Sequence, residues 1–148
     1  MTSAPRVATG GGERTTAQWV SLIFGIGFLL VAALGFVQGG MSMESDPNLA
    51  PKVLGLFPVN LLHNLVHLAF GVWGLAASRT HDASRGYCRI AGVIYLVLAA
   101  LGYVAPNGFG LVPLGGADPL LHVFLGLVLA GVGFTAPATR AGGARTAA

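Results

Sequence analysis

Charge is scarce in this chain. Of its 148 residues, eight are Lys or Arg and five are Asp or Glu, 9% in all, where a soluble domain carries about 25%. With 54% hydrophobic residues and a mean hydropathy of +0.74, that scarcity excludes an ordinary water-soluble globule and points to an integral membrane protein. Cysteine is almost missing too: Cys88 stands alone, so no intramolecular disulfide forms and helix packing must hold the fold. The sequence also lacks a phosphate-cradling glycine loop, a Ser-His-Asp ordering and a paired-cysteine metal motif. Nucleic acid is excluded as a partner, because the net charge of +3 comes from basic residues scattered along the chain. Glycine, by contrast, is abundant, at 23 residues where about 7% is average. Membrane helices tolerate it, since small residues let backbones approach closely. Arg supplies seven of the eight basic residues; with the Ala and Gly excess, this is the composition of a GC-rich bacterial genome.

A bilayer core of about 30 Å takes about 20 mainly apolar residues at 1.5 Å rise each. Four segments meet that need, at about 18–37, 58–78, 87–104 and 118–136. The expected fold is all-α: a polytopic integral membrane protein whose four transmembrane helices form one domain over 18–136. Asp118 followed by Pro119 reads as a helix start, Asp capping free backbone donors and Pro taking the first helical position. The first apolar run is too long for a cleaved signal peptide and is echoed later, so it reads as a retained span. Seven of the eight basic residues fall in the N-terminal tail (Arg6, Arg14), between the second and third spans (Arg79, Arg85, Arg89) and in the C-terminal tail (Arg140, Arg145), leaving only Lys52 in the other two loops. The positive-inside rule then puts both termini in the cytoplasm, with 38–57 and 105–117 facing outward from a bacterial inner membrane. The tails, 1–17 and 137–148, read as disordered. Trp19, Tyr87 and Tyr103 read as interfacial anchors, Trp73 and Tyr95 as packing, and Cys88 as a small apolar filler. His81, with Arg79, Asp82 and Arg85, reads as a solvated cytoplasmic turn.

The chain also echoes itself. Ala32-Ala-Leu-Gly-Phe-Val37 ends the first span and Ala99-Ala-Leu-Gly-Tyr-Val104 the third, with Gly25 falling on Gly92 at the same offset. In the second and fourth spans His67-Leu-Ala-Phe-Gly71 is matched by His122-Val-Phe-Leu-Gly126. Two repeated helical hairpins of equal orientation are expected, related by an axis along the membrane normal. Asn60-Leu-Leu-His63-Asn-Leu-Val-His67-Leu-Ala-Phe-Gly71, then Ser84-Arg-Gly-Tyr87 leading into Gly92-Val-Ile-Tyr95, then Ala117-Asp118-Pro-Leu-Leu-His122 with Gly126, resembles an uncharacterised bacterial membrane family, domain of unknown function 4383. The resemblance covers about residues 18–134. It implies a four-helix membrane protein with His-bearing second and fourth helices, and no assigned activity.

Asn60, His63, Asn64 and His67 run down one side of the second helix, continued by Gly71, Gly74 and Ser78; Asp118, His122, Gly126, Ala130 and Gly133 repeat the arrangement on the fourth. The small-residue inner halves of these two helices are expected to pack together and so to gather Asn60, His63, Asn64, His67, Asp118 and His122 into one polar cluster in the outer half. His67 then lies about 14 Å below Pro58, near mid-bilayer, where an imidazole is costly unless partnered. In the first reading the cluster is structural: side chains bond across helices, no cofactor is needed, and the chain is a non-enzymatic membrane component whose helices associate with one another, with further copies or with other membrane proteins. In a second reading His63, His67 and His122 are metal ligands, with Asp118 as the fourth or as an outer partner of a ligating histidine, a set suited to zinc or another transition metal. A third has His67 and His122 holding haem b from both faces, or passing protons from Asp118. The almost wholly apolar inner half disfavours a through-pore.

Overall fold

The computed structural model describes residues 13–138. The expected disorder of the tails therefore lies outside the described residues, apart from positions 13–17 and 137–138. Four helices form: α1 (Thr16–Gly39), α2 (Leu61–Ala77), α3 (His81–Val104) and α4 (Asp118–Thr135). The fold is all-α save for a two-stranded antiparallel ribbon, β1 (Lys52–Val53) with β2 (Phe57–Pro58), between α1 and α2. Three helices, α1, α3 and α4, are long and apolar enough to cross a membrane. The helix of the second expected span has only 17 residues.

Local chemistry sets the helix ends. Thr15 caps α1 and Gln18 answers it, each side chain holding the other's backbone N–H. Thr80 caps α3, so that helix begins at His81 rather than near 87, and the expected Arg-bearing loop shrinks to Ser78, Arg79 and Thr80. Arg85 and Arg89 stand on α3 itself and donate to the carbonyls of Ala136 and Gly133 at 2.9 and 2.6 Å, satisfying the orphan acceptors at the end of α4. His81 is no free turn residue: its ring nitrogens meet Thr15 Oγ1 at 2.9 Å and the Pro137 carbonyl at 2.8 Å. Asp118 does not cap α4. Ala117 holds the cap position with no side-chain bond, Asp118 is the first helical residue, and Pro119 follows inside the first turn.

The molecule is polar inside and apolar outside. Ser21, Asn60, Asn64, Ser84 and Asp118 are buried, while Ile23, Leu30, Val93, Leu120 and Phe124 are exposed. Water would penalise that arrangement, and hydrocarbon accepts it. Trp19 and Tyr103 are exposed near helix ends, whereas Tyr87, expected as an anchor, is fully buried with its ring 4.9 Å from that of Trp73. Cys88 is buried as well, in the core of Phe28, Tyr87, Tyr95 and Leu129.

Helices pack chiefly within hairpins, α1 against α2 and α3 against α4. The expected close packing of α2 on α4 through their small residues is not found. The glycines face the hairpin partner instead. A Cβ on Gly25 would sit 2.7 Å from the Leu75 nitrogen, and one on Gly71 would sit 2.7 Å from the Leu29 side chain. In the second hairpin a Cβ on Gly92 would strike Ala130, and one on Gly126 would come within 2.8 Å of Leu96. These approaches draw each hairpin tight, and the two hairpins meet through the core that includes Phe28, Ala77, Tyr87, Tyr95 and Leu129.

Candidate functional site

The N-terminal ends of α2 and α4 carry the polar residues, and two loops cover them. Asn60 caps α2 by accepting from the His63 N–H at 2.9 Å, and donates from its amide to the Leu111 carbonyl at 2.8 Å. It thereby ties the start of α2 to the loop before α4. Leu61 N–H donates to the Ser42 carbonyl at 2.7 Å, fixing the loop after α1 to the same point. Because α2 begins at Leu61, His63 and Asp118 both lie in the first turn of their helices. His67 is about 9 Å in from that start, nearer the end of the bundle than the 14 Å depth expected from the sequence.

His63 is oriented by its backbone partner. Its Nδ1 lies 3.1 Å from the Pro58 carbonyl, and a carbonyl only accepts, so Nδ1 carries the proton and Nε2 presents a lone pair. That lone pair faces Asp118 Oδ2 at 3.9 Å, too far for a hydrogen bond. His122 closes the group: ligand atoms of His63, Asp118 and His122 all lie within 4.8 Å of one another, and all three residues are buried. Ligands of a tetrahedral metal with bonds of about 2.0 Å stand about 3.3 Å apart, so modest side-chain rotation would close the set.

His67 lies beside this trio rather than in it. Its ring is 4.6 Å from that of His63 and stacks at 5.7 Å on Phe28. The Tyr95 ring meets His122 edge-on at 5.0 Å. Among the described residues His67 Nδ1, His122 Nδ1 and Asp118 Oδ2 have no hydrogen-bond partner although buried, the kind of debt that a protein interior rarely leaves. Asn64, expected in the cluster, points elsewhere: its amide is buried without a partner and presses on Gly35 of α1. Asn60 serves as cap and loop tie.

Two small apolar cavities flank the cluster. One of about 200 Å³ lies between α2 and α3 under Phe109 and Leu111; the other, about 140 Å³, lies between α1 and α4 under the β1–β2 ribbon. Haem does not fit here. Phe28 and His63 lie against the His67 ring, leaving no face of it free for a macrocycle shared with His122. Phe28, Tyr95 and the Pro58 carbonyl, which shape the site, carry no polar signal in the sequence. The two rings do share one position relative to the repeated Ala-Ala-Leu-Gly endings, and that could have marked them.

A family model described as Domain of unknown function (DUF4383) matches residues 18–135, from the first turn of α1 to the end of α4. No curated protein and no solved structure matches the chain.

Proposed function

The chain belongs to this family, which carries no assigned activity, so its role must come from the geometry: we propose that it is a small membrane protein holding one divalent transition metal on His63, Asp118 and His122. The observation that carries this is the pair of acceptors, His63 Nε2 and Asp118 Oδ2, facing each other at 3.9 Å with a third buried ligand beside them. A purely structural cluster would stabilise the bundle by bonding across helices, and these three side chains make no hydrogen bond to one another. A cation shared among them removes the conflict. Two imidazoles and one carboxylate suit Zn²⁺ or Fe²⁺ and leave coordination positions open, as in sites that take a further ligand. The bond from His63 Nδ1 to the Pro58 carbonyl is the outer-shell contact that orients metal-binding histidines.

The reading is tested by purifying the protein in mild detergent, equilibrating it with Zn²⁺ or anaerobically with Fe²⁺, and measuring metal per chain. One equivalent is expected, lost in His122→Ala and Asp118→Asn and kept in His67→Ala. Substoichiometric metal in the wild type, or retention by both trio variants, overturns it.

The fold around the site is read as four crossings of a bacterial inner membrane, α2 being the short one, with both termini cytoplasmic. It is also read as one hairpin used twice. Supporting this, the buried residues of α1 recur on α3 at a constant offset, Ser21 with Cys88, Gly25 with Gly92 and Phe28 with Tyr95. Those of α2 recur on α4, His63 with Asp118, His67 with His122 and Gly71 with Gly126. On this reading the metal lies near the axis relating the two copies.

A further inference from the structure

The two crevices between the hairpins differ. On the α1–α4 side, Ile23, Phe24, Gly27, Phe28, Leu121 and Leu125 are among the walls of a cavity of about 270 Å³. Phe28, Val31, Leu121 and Leu125 also wall the 140 Å³ cavity that reaches His63, His67, Asp118 and His122. The two cavities adjoin across these shared walls, between the surface at Ile23, 60% exposed, and the buried polar cluster, and side-chain movement at the walls would join them into one apolar passage. Gly27 borders this space, and a Cβ there would meet nothing within 4 Å, so a longer side chain has room to extend into it. At the offset that relates the hairpins, Ile94 stands in place of Gly27 and Phe70 in place of Leu125, and the Phe70 ring lies against Tyr95 at 5.6 Å. At these two positions the α2–α3 crevice carries bulk where the other has glycine and leucine, although nearer the loops it holds the cavity of about 200 Å³.

We infer that this passage holds the chain of a long-chain fatty carboxylate drawn from the bilayer, its head joining the metal on His63, Asp118 and His122. The inference rests on the metal reading. A divalent ion on two neutral imidazoles and one carboxylate leaves one positive charge in an apolar setting, a costly state that a second carboxylate cancels. Coordination positions are open for it. The direction agrees as well: from Val31 to Ile23 the passage runs along α1 for about 12 Å, away from the outer loops, the course of an acyl chain whose head lies towards the outer surface. His67, with an unpartnered Nδ1 and 7% exposure, lines the passage beside the head and can donate to its free oxygen.

The test uses the full chain in nanodiscs of zwitterionic phospholipid, with laurate as probe and dodecanol as control, metal content and bound laurate being measured on the same samples. One laurate per metal-loaded chain is expected, with none on metal-free protein and no comparable retention of dodecanol. Gly27→Leu is expected to keep its metal and lose laurate at least tenfold, while Gly131→Leu, at another open helix glycine, keeps both. Metal without laurate, or laurate unaffected by Gly27→Leu, overturns the inference and leaves the metal reading standing. Dodecanol bound as well as laurate overturns the carboxylate head. Absence of metal removes both readings.

Discussion

Gly92 and Gly131 both interrupt apolar helix sequence, and only their surroundings separate them. A Cβ on Gly92 would run into the Ala130 backbone across the α3–α4 contact, whereas one on Gly131 meets nothing within 4 Å. Gly92→Ala is expected to lower stability by about 1–3 kcal/mol through overpacking. Gly131→Ala is expected to leave it unchanged or to raise it by up to about 1 kcal/mol through helix propensity. Thermal unfolding in mild detergent, followed by circular dichroism, compares the two; equal loss in both would mean that the α3–α4 approach is looser than the structure has it. The same limit governed what could be read at the site. In a chain with 9% charged residues, His63, His122 and Asp118 stand out; they do come together, though not through the expected close packing of α2 on α4. Asn64 was misplaced because adjacent residues on a helix diverge by about 100°: one step from His63 turned its amide onto Gly35 of α1. Phe28 went unnoticed and Tyr95 was read only as packing, because an aromatic residue in an apolar span looks the same facing lipid or an imidazole.

Hydropathy reports where apolar sequence begins, while capping decides where a helix begins. That difference explains the elements that moved. The His81–Arg85 turn is polar and so fell outside the expected span, yet Thr80 starts α3 there. Conversely, Pro58 to Asn60 is apolar enough to extend the second span, but Pro58 lies in the ribbon and Asn60 takes an extended cap conformation, leaving α2 short. Asn60 thus does two jobs at one junction, capping α2 and holding the loop through Leu111. Its loss in Asn60→Ala is expected to cost about 1–2 kcal/mol, the range for a cap together with a buried hydrogen bond. Hydrogen exchange should show the loss locally, with faster exchange over 105–117 and unchanged protection in the middle of α3. Uniform destabilisation without local loosening would mean that the tie to Leu111 does not hold the loop.

At the scale of the whole molecule, the inverted distribution of polarity and the uneven placement of basic residues bear on one question, which end faces which compartment. The end formed by the start of α1, the α2–α3 turn and the end of α4 holds Arg79, Arg85 and Arg89, and two of these arginines close the carbonyls of α4. The opposite end, with the ribbon and the site, carries Lys52 beside Glu44 and Asp46. An orientation with the arginine end in the cytoplasm satisfies the positive-inside rule and opens the cluster towards the outer leaflet. Single cysteines decide it. Cys88 is buried and contributes little background, while Asn48 and Arg79 are exposed at opposite ends. In intact cells Asn48→Cys is expected to react with a membrane-impermeant maleimide, and Arg79→Cys only after permeabilisation. The reverse pattern would turn the molecule over, and with it the side of the membrane from which metal and acyl chain reach the site. Labelling of both in intact cells would put the two positions on the same side of the membrane, so that the 17-residue α2 does not cross it.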